Sequence, residues 1–307
     1  MLRNLLLLAA KSDRLREAVS ALPFTRNVVK RFIAGDTIAS GLAAAQALAV
    51  QGIWSTIDVL GEDTTDPGQA ERATAAYLEL LAGIPAAGLA DTADVSLKLT
   101  SLGSGLPGGA DLAYANARRI CEAAAQVGAT VTIDAEDHTT LDEMHAVVER
   151  LRADFPTVGL VLQAMLFRTA ADAVQFSGPG SRVRLCKGAY NEPADHALQA
   201  REEVSAAYVA TARTLFKGEG YPMLATHDPQ MIEAAEALAA AAGKAPRDYE
   251  FQMLYGIRAD EQRRLARLGH SVRVYVPCGT DWWGYFVRRL AERPANLLFF
   301  LRAIIGR

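Results

Sequence analysis

The chain has 307 residues and is 50% hydrophobic, which is enough apolar material for a sizeable core in one large domain or two ordinary ones. Its formal net charge of −3 and isoelectric point of about 6.0 provide no basic field, which argues against a nucleic-acid-binding protein. Three widely spaced cysteines (Cys121, Cys186 and Cys278) form neither a disulfide framework nor a zinc pattern, so we expect a reducing cytoplasmic location and no metal site.

The chain begins with a short apolar run at residues 5–10, followed by charged residues. This run is far too short to span a bilayer, and it lacks a convincing signal-peptide cleavage region. We interpret it as part of an amphipathic N-terminal helix; peripheral contact with the inner face of a membrane is the alternative. Helices are expected over residues 1–52, as an arm that precedes a barrel domain at residues 53–307.

From residue 54 onward, short apolar runs rich in β-branched residues alternate with alanine-rich helical patterns. The predicted strands are 54–60, 95–99, 130–133, 158–163, 182–186, 223–226, 249–254 and 272–276. The predicted helices include 113–126, 140–153, 197–216, 230–241 and 259–268. Gly128, Gly218 and Gly269 follow three of these helices where a C-terminal cap belongs.

Eight strand–helix units in succession predict a parallel sheet, and eight is also the number that closes a β/α barrel. An open, doubly wound sheet is the alternative. Polar side chains stand at the C-terminal ends of the strands: Asp58, Lys98, Asp134, Gln163, Arg184 with Lys187, Thr226 with His227, Gln252 and Tyr275. Because this end carries the ligand site in both architectures, the pattern favours a binding or catalytic site over a purely structural scaffold.

The last predicted helix carries Tyr285, Arg288, Arg289 and Glu292 at positions i, i+3, i+4 and i+7. This spacing places all four on one helix face. The planar fork of arginine matches a carboxylate, so the face could hold a small carboxylic acid beneath a tyrosine ring. A solvated face with a Glu–Arg pair is the alternative.

Together these segments resemble the proline dehydrogenase family, in its monofunctional bacterial form. They follow the family order over most of the chain: RFIAGD (31–36), VSLKLT (95–100), IDAE (133–136), GLVLQ (159–163), RLCKGAY (184–190), ATHD (225–228), EFQMLYG (250–256), VYVPCG (274–279) and YFVRRLAE (285–292). The resemblance implies a distorted TIM-type β/α barrel that holds FAD, with the last helix over the barrel mouth. It implies oxidation of L-proline to Δ1-pyrroline-5-carboxylate, with hydride transfer from the carbon next to nitrogen to flavin N5.

The resemblance also implies roles for individual positions. Lys98, Arg288 and Arg289 correspond to residues that bind the proline carboxylate. Residues that pack around the proline ring correspond to Leu185, Tyr275 and Tyr285. Asp134 and Arg184 match catalytic positions, with Arg184 against the flavin. Positions that contact FAD correspond to Ala135, Gln163, Arg184, Lys187, Gly188, Ala189, Thr226 and His227. Glu292 would either orient the arginines or touch the cofactor.

The family further implies a quinone as the electron acceptor and a transient contact with the membrane. A separate pyrroline-5-carboxylate dehydrogenase is expected to take the product, because we find no second, aldehyde-dehydrogenase-like domain in the sequence. The segment between Tyr275 and Tyr285 is shorter than in the bifunctional members and carries Trp282 and Trp283. This departure bears on where the last helix lies.

Three alternatives remain open at this point. Gly103-Ser-Gly-Leu-Pro-Gly108 spells the dinucleotide fingerprint of a nicotinamide dehydrogenase, but it follows the second strand and contains Pro107. We interpret it as a flexible loop over the site. Lys98 and Lys187 at strand ends would suit a Schiff-base lyase. The third alternative is a ligand-binding barrel without catalysis.

Overall fold

The computed structural model describes Val29 and residues 31–292, with side chains described as far as Arg289. Eight parallel strands in this range form a closed barrel in sequence order, in which Trp54 of the first strand pairs with Arg273 of the last. The closure confirms the predicted barrel and rules out the open sheet. The strands β1–β8 are Trp54–Val59, Ala93–Leu97, Val131–Ile133, Gly159–Gln163, Arg182–Cys186, Tyr221–Ala225, Glu250–Leu254 and Ser271–Cys278.

Helices alternate with the strands and cover the outside of the barrel. The helices α1–α9 are Ile38–Ala49, Pro67–Ala86, Gly109–Gln126, Leu141–Arg152, Thr169–Gln175, Arg201–Lys217, Pro229–Ala241, Ala259–Arg267 and Trp283–Glu292. Two 3-10 turns, Thr100–Leu102 and His138–Thr140, follow β2 and β3. Three helix starts are capped by side chains that accept from the backbone, those of Thr37, Asp66 and Asp228.

The predicted N-terminal arm is described only in part, since α1 precedes β1 while residues 1–28 lie outside the described range. The predicted amphipathic helix around residues 5–10 falls in that part. Among the residues that the structure does describe, no helix combines the length and apolar character needed to cross a membrane.

Neighbouring residues along each strand face opposite sides of the barrel wall. On β2, Val95 and Leu97 belong to the hydrophobic core between strands and helices. Asp94 and Ser96 point inward instead, where they contact Arg273 and Asp134 from other strands. The apolar core therefore forms the outer layer, and the barrel interior is polar, in contrast to the branched apolar layers that fill many barrels of this type.

The last helix, α9, packs on the barrel through a separate apolar cluster. Phe286 and Val287 pack there with Phe32, Ile33 and Leu60, the last of which directly follows β1. The helix lies over the C-terminal mouth of the barrel, because its Arg288 reaches Glu62 in the loop after β1. This confirms the position expected from the resemblance.

The three predicted capping glycines differ in conformation. Gly128 and Gly269 adopt the left-handed conformation, with φ of +75° and +89°, as a helix C-terminus requires. Gly218 is the C-cap residue of α6, which confirms the predicted cap position, but its conformation is extended rather than left-handed. A Cβ at Gly218 would lie 2.5 Å from the carbonyl oxygen of Ser177, which explains why only glycine fits.

The glycine-rich segment at residues 103–109 is a turn that is packed at its two ends, Gly103 and Gly109, and has open space around Gly105 and Gly108. The Asn116 side chain donates to the Leu102 carbonyl oxygen at 3.1 Å, and α3 begins directly after the turn at Gly109. A Cβ at Gly109 would stand 2.2 Å from the Ser104 carbonyl oxygen. Gly103 and Gly109 thus serve the packing at the start of α3.

Gly109→Ala is expected to lower the free energy of unfolding by about 1–3 kcal/mol, since the backbone around residue 104 must shift to admit the methyl group. Gly105→Ala is the matched control, because nothing lies within 4 Å of a Cβ at that position. Its stability should stay within about 0.5 kcal/mol of the parent. Denaturant unfolding of both variants provides the measurement, and equal stabilities would contradict the packing explanation.

Candidate active site

The predicted strand-end residues converge around the carboxylate of Asp134, just beyond β3. One of its oxygens accepts hydrogen bonds from Ser96 Oγ at 2.7 Å and Arg184 Nη1 at 2.5 Å. The other accepts from the Tyr275 hydroxyl at 2.6 Å and lies 3.9 Å from Lys98 Nζ. Four side chains from three strands or strand ends, those of β2, β5 and β8, thus meet at this carboxylate.

The Arg184 guanidinium lies inside the barrel, where side chains from other strands bind two of its nitrogens. Its Nη1 donates to Asp134 and to Ser96 Oγ at 2.9 Å, and its Nε donates to Gln252 Oε1 at 2.5 Å. Its Nη2 is buried and has no hydrogen-bond partner among the described residues. A buried guanidinium N–H without a partner is costly, which makes Arg184 Nη2 a candidate contact for a bound group.

Lys98 is buried at the end of β2, where its ammonium group lies 3.1 Å from Asp58 Oδ2. Burial alone would lower the pKa of Lys98, but the carboxylates of Asp58 and Asp134 outweigh burial and raise it above its usual value. The side chain therefore stays protonated. A protonated ammonium is not a nucleophile, which argues against the Schiff-base lyase alternative for this lysine.

Arg288 of α9 forms a bidentate ion pair with Glu62, in which Nη1 donates to Oε1 at 2.8 Å and Nη2 donates to Oε2 at 2.9 Å. The Arg288 guanidinium also lies 5.7 Å from the ring centre of Tyr190. Burial would raise the pKa of Glu62, but the Arg288 guanidinium offsets it and holds that pKa below its usual value. Glu62 follows β1, and Lys98 follows the adjacent strand β2, so Arg288 and Lys98 lie on the same side of the barrel mouth. The solvated-face alternative for α9 is wrong at this position.

Glu62 was not predicted from the sequence. It follows β1 by only a few residues, so extending the search for polar residues into the loop after each strand would have found it. Arg289 is buried on the same helix, with its guanidinium 5.0 Å from the ring centre of the buried Tyr285. The side chain of Glu292 lies outside the described residues.

Leu185 does not lie where the resemblance implied. It follows the inward-pointing Arg184, is fully buried, and belongs to the outer core between strands and helices. The structure therefore does not support a contact between Leu185 and the proline ring. Leu254 is the better candidate, because it alternates with the inward-pointing Gln252, pairs in register with Tyr275 and is half-buried.

The predicted cofactor positions follow the neighbouring strands β3 to β6. Lys187 Nζ donates to Ser205 Oγ and to Asp228 Oδ2, both at 2.8 Å. Gln163 Nε2 donates to a backbone carbonyl oxygen at 2.8 Å, and His227 Nε2 accepts from Leu254 N at 2.9 Å. The other predicted positions lie on the same segments: Ala135 after β3, Gly188 and Ala189 after β5, and Thr226 after β6.

Gly188, two residues beyond β5, packs closely against a side chain of the neighbouring loop. In the structure its φ is +109°, and a Cβ there would lie 2.5 Å from Sδ of Met165. The glycine is required by its own backbone conformation and by Met165 from the loop after β4.

Glu136 is a further buried carboxyl group at this mouth of the barrel. Its oxygens accept from Thr100 N at 3.2 Å and from Thr100 Oγ1 at 2.5 Å. Burial raises its pKa to about 7, although Thr100 and the Lys98 charge act in the opposite direction. The group therefore changes its charge near neutral pH.

This raised pKa predicts a pH-dependent stability. The pKa of Glu136 is 4.5 in the unfolded chain and about 7 in the folded protein. The folded state therefore gains stability from the protonated group below pH 4.5, and this gain is lost as the pH rises through 7. The loss is on the order of 3 kcal/mol between pH 4.5 and 7. Glu136→Gln removes the titration and should flatten this part of the stability profile.

Unfolding experiments at pH 5 and pH 8 measure the effect. Glu79→Gln, on the exposed side of α2, is the matched control and should keep the pH profile of the parent. If the free energy of unfolding changes equally with pH in the parent and in Glu136→Gln, then Glu136 is already ionised at pH 5.

Comparison with known proteins places this geometry in context. A family model described as Proline dehydrogenase matches residues 41–302. Proline dehydrogenase of Deinococcus radiodurans is 38% identical over 91% of this chain and 90% of its own length. Proline dehydrogenase 1 of Bacillus subtilis strain 168 is 35% identical over 99% of both chains.

Larger proteins contain a similar unit. Bifunctional protein PutA of Escherichia coli K12 is 26% identical over 89% of this chain, which corresponds to 24% of that protein. A crystal structure of proline utilization A from Bdellovibrio bacteriovorus, inactivated by N-propargylglycine, has a TM-score of 0.80 at 23% identity and covers 87% of this chain. A mutant of the Bradyrhizobium japonicum protein has a TM-score of 0.74. This chain spans 32% of each of these two solved chains, and at such identities the likeness shows the fold alone.

Proposed function

The chain belongs to the proline dehydrogenase family, and on that premise we propose that it oxidises L-proline to Δ1-pyrroline-5-carboxylate with bound FAD as the hydride acceptor. One observation carries the proposal: Lys98 lies 3.9 Å from Asp134 of the buried Asp134–Arg184 pair, and Arg288 reaches the same end of the barrel through Glu62, in the loop after β1. This pair of cations thus adjoins an arginine whose Nη2 has no hydrogen-bond partner among the described residues.

Proline reaches this site as a zwitterion, and its carboxylate requires cationic donors. Lys98 gives one of its three N–H donors to Asp58, and Arg288 gives two of its five to Glu62. Donors therefore remain on both side chains, and the substrate carboxylate can bind without displacing either protein carboxylate. Each charge-assisted hydrogen bond contributes about 1.5–3 kcal/mol. Arg289 is proposed as the third cation.

The reaction also requires that the substrate amine lose its proton. Lys98 and the arginines lower the pKa of a bound amine by like-charge repulsion. Burial and the neighbouring Asp134 raise the pKa of Tyr275 well above its usual value, so Tyr275 remains a hydrogen-bond donor to Asp134 throughout the working pH range. We propose that Leu254, Tyr275 and Tyr285 provide the walls around the proline ring.

The residues present fit a flavin. Within the described part of the chain, Arg184 Nη2 is a buried donor without a partner, and a guanidinium at this point would stabilise negative charge that develops on a reduced ring system. When bound, FAD would provide the hydride acceptor. The residues proposed to hold it are Ala135, Gln163, Arg184, Lys187, Gly188, Ala189, Thr226 and His227.

The alternatives lose support on structural grounds. The glycine-rich turn at residues 103–109 follows the second strand, and its first glycine, Gly103, packs against Leu112 of α3, which disfavours a phosphate loop of the nicotinamide dehydrogenase type there. The ion pair to Asp58 keeps Lys98 protonated, which disfavours the lyase. A barrel that only binds its ligand would show no turnover, so the first experiment below separates it from the enzyme.

Electrons from proline must leave the cofactor, and we propose a quinone as their acceptor, reached through peripheral contact with the inner face of the membrane from a cytoplasmic location. The product contains a C=N bond whose hydrolysis opens the ring to an aldehyde. We therefore propose that a separate pyrroline-5-carboxylate dehydrogenase consumes it.

Anaerobic addition of L-proline to the purified protein tests the proposed reaction. We expect a yellow protein with a flavin absorption spectrum that bleaches on mixing, because no oxidant is present to remove the electrons. D-proline at the same concentration is the control for stereochemistry and should bleach it far more slowly. A colourless protein that binds NAD, or a flavin that L-proline does not bleach, would refute the proposal.

Arg288→Met is expected to raise the KM for proline about 10- to 100-fold while flavin content stays at the parent level, since the variant loses charge-assisted bonds of about 1.5–3 kcal/mol. Arg289→Met should act in the same direction. Arg264→Met is the matched control, because Arg264 is a surface residue of α8 paired with Glu261. Steady-state kinetics and flavin absorbance measure both effects; loss of flavin equal to the loss of proline binding would place the arginines on the cofactor.

A further inference from the structure

A chain of polar side chains runs through the interior of the barrel from its floor to Arg184. At the floor, Arg273 binds Asp94 at 2.9 Å and Glu250 at 2.8 Å. Gln252 Nε2 donates to Glu250 Oε1 at 2.5 Å, and Gln252 Oε1 accepts from Arg184 Nε at 2.5 Å. All five side chains are buried, and the floor end borders a cavity of about 330 Å³.

The two charged neighbours decide which way the Gln252 amide faces. A carboxylate can only accept hydrogen bonds and a guanidinium can only donate them. The NH₂ group must therefore face Glu250, and the carbonyl oxygen must face Arg184. A flipped amide would bring two donors together at Arg184 and two acceptors together at Glu250. The pairing of Glu250 with Arg273 keeps the acceptor in place and so fixes the direction of the amide.

Gln252 supports the edge of the Arg184 guanidinium that Asp134 does not reach. Nε is bound by Gln252, and Nη1 is bound by Asp134 and Ser96. A planar group held at two different nitrogens cannot rotate about its long axis without breaking a bond. The direction of Nη2 is therefore set by the partners of the other two nitrogens.

We propose that Gln252 is a positioning residue, which holds the Arg184 guanidinium in the plane from which Nη2 meets the cofactor, with the Glu250–Arg273 pair setting the direction of its amide. The inference rests on the proposed function, because it takes the flavin as the group that Nη2 meets. Gln252 then acts on catalysis only through Arg184, by keeping a positive charge where negative charge develops.

Gln252→Met tests the proposal, because methionine has a similar volume and removes both hydrogen bonds. We expect kcat with proline to fall at least tenfold, while the KM for proline changes less than threefold, since Lys98 and Arg288 are untouched. At a fixed solution potential, the ratio of oxidised to reduced flavin should rise about tenfold. For a two-electron couple, this corresponds to a flavin reduction potential that is lower by about 30 mV. Flavin content should equal that of the parent.

Tyr221→Phe is the matched control. The Tyr221 hydroxyl donates at 3.4 Å to Oε2 of Glu250, the oxygen that does not bind Gln252. Its removal leaves the chain to Arg184 intact, so kcat, KM and the flavin potential should stay at parent values. A kcat and potential in Tyr221→Phe that match those of Gln252→Met would show a general disturbance of the barrel floor and overturn the proposal.

Other outcomes are equally decisive. A folded, flavin-loaded Gln252→Met protein with parental kcat and potential overturns the inference, and so does a fall in kcat with an unchanged potential. If the Met variant does not fold, Gln252→Ala carries the same test, because the smaller side chain leaves room for water beside both charged neighbours. The parent is measured in parallel: if proline does not bleach it, the proposed function fails, whereas a bleaching parent with unaffected variants refutes this inference alone.

Discussion

Inside the barrel, charged side chains from different strands face one another across the axis, and each must be near an opposite charge because isolated buried charges are prohibitively unfavourable. Breaking such a pair costs about 3–5 kcal/mol, mostly through the charge left behind. The acidic and basic members balance in number among the inward-facing residues described: Asp58, Asp94, Asp134 and Glu250 with Lys98, Arg182, Arg184 and Arg273. This pairing fixes the positions of Asp134 and Arg184 before any ligand arrives.

The polar interior is possible because the hydrophobic core lies elsewhere. The outward residues of the strands pack against the helices, and this outer layer provides the apolar burial that stabilises the fold. The axis is then available for a preorganised hydrogen-bond network. Such a network needs little rearrangement as charge develops in a reaction, which is how a fixed polar environment promotes catalysis.

The mouth of the barrel is divided between two sets of residues. Lys98, Tyr275, Glu62 and the arginines of α9 occupy the side of β8, β1 and β2. The candidate cofactor residues follow β3 to β6. The Asp134–Arg184 pair lies between the two sets, so a carboxylate held on one side and a ring system held on the other would meet at this pair. The proposed function relies on this arrangement.

The sequence by itself determined the alternation of strands and helices and the polar residue at each strand end, because periodicity and caps are local properties. The family segments pointed to most of the residues that converge at the mouth. The predicted contact between Leu185 and the proline ring was less reliable, since a shift of one residue along a strand moves a side chain to the opposite face of the barrel wall. The conformation of Gly218 also depended on Ser177, a neighbour that only the fold supplies.

Only the tertiary structure decided which charges pair. Glu62 and Arg288 are 226 positions apart, and Arg184 meets Gln252 from a strand 68 positions away. No local pattern encodes such partners, because barrel closure and the packing of α9 bring them together. The sequence therefore placed the functional groups at the right end of the barrel, while the closed barrel determined what each of them touches and, for Lys98, in which protonation state it is held.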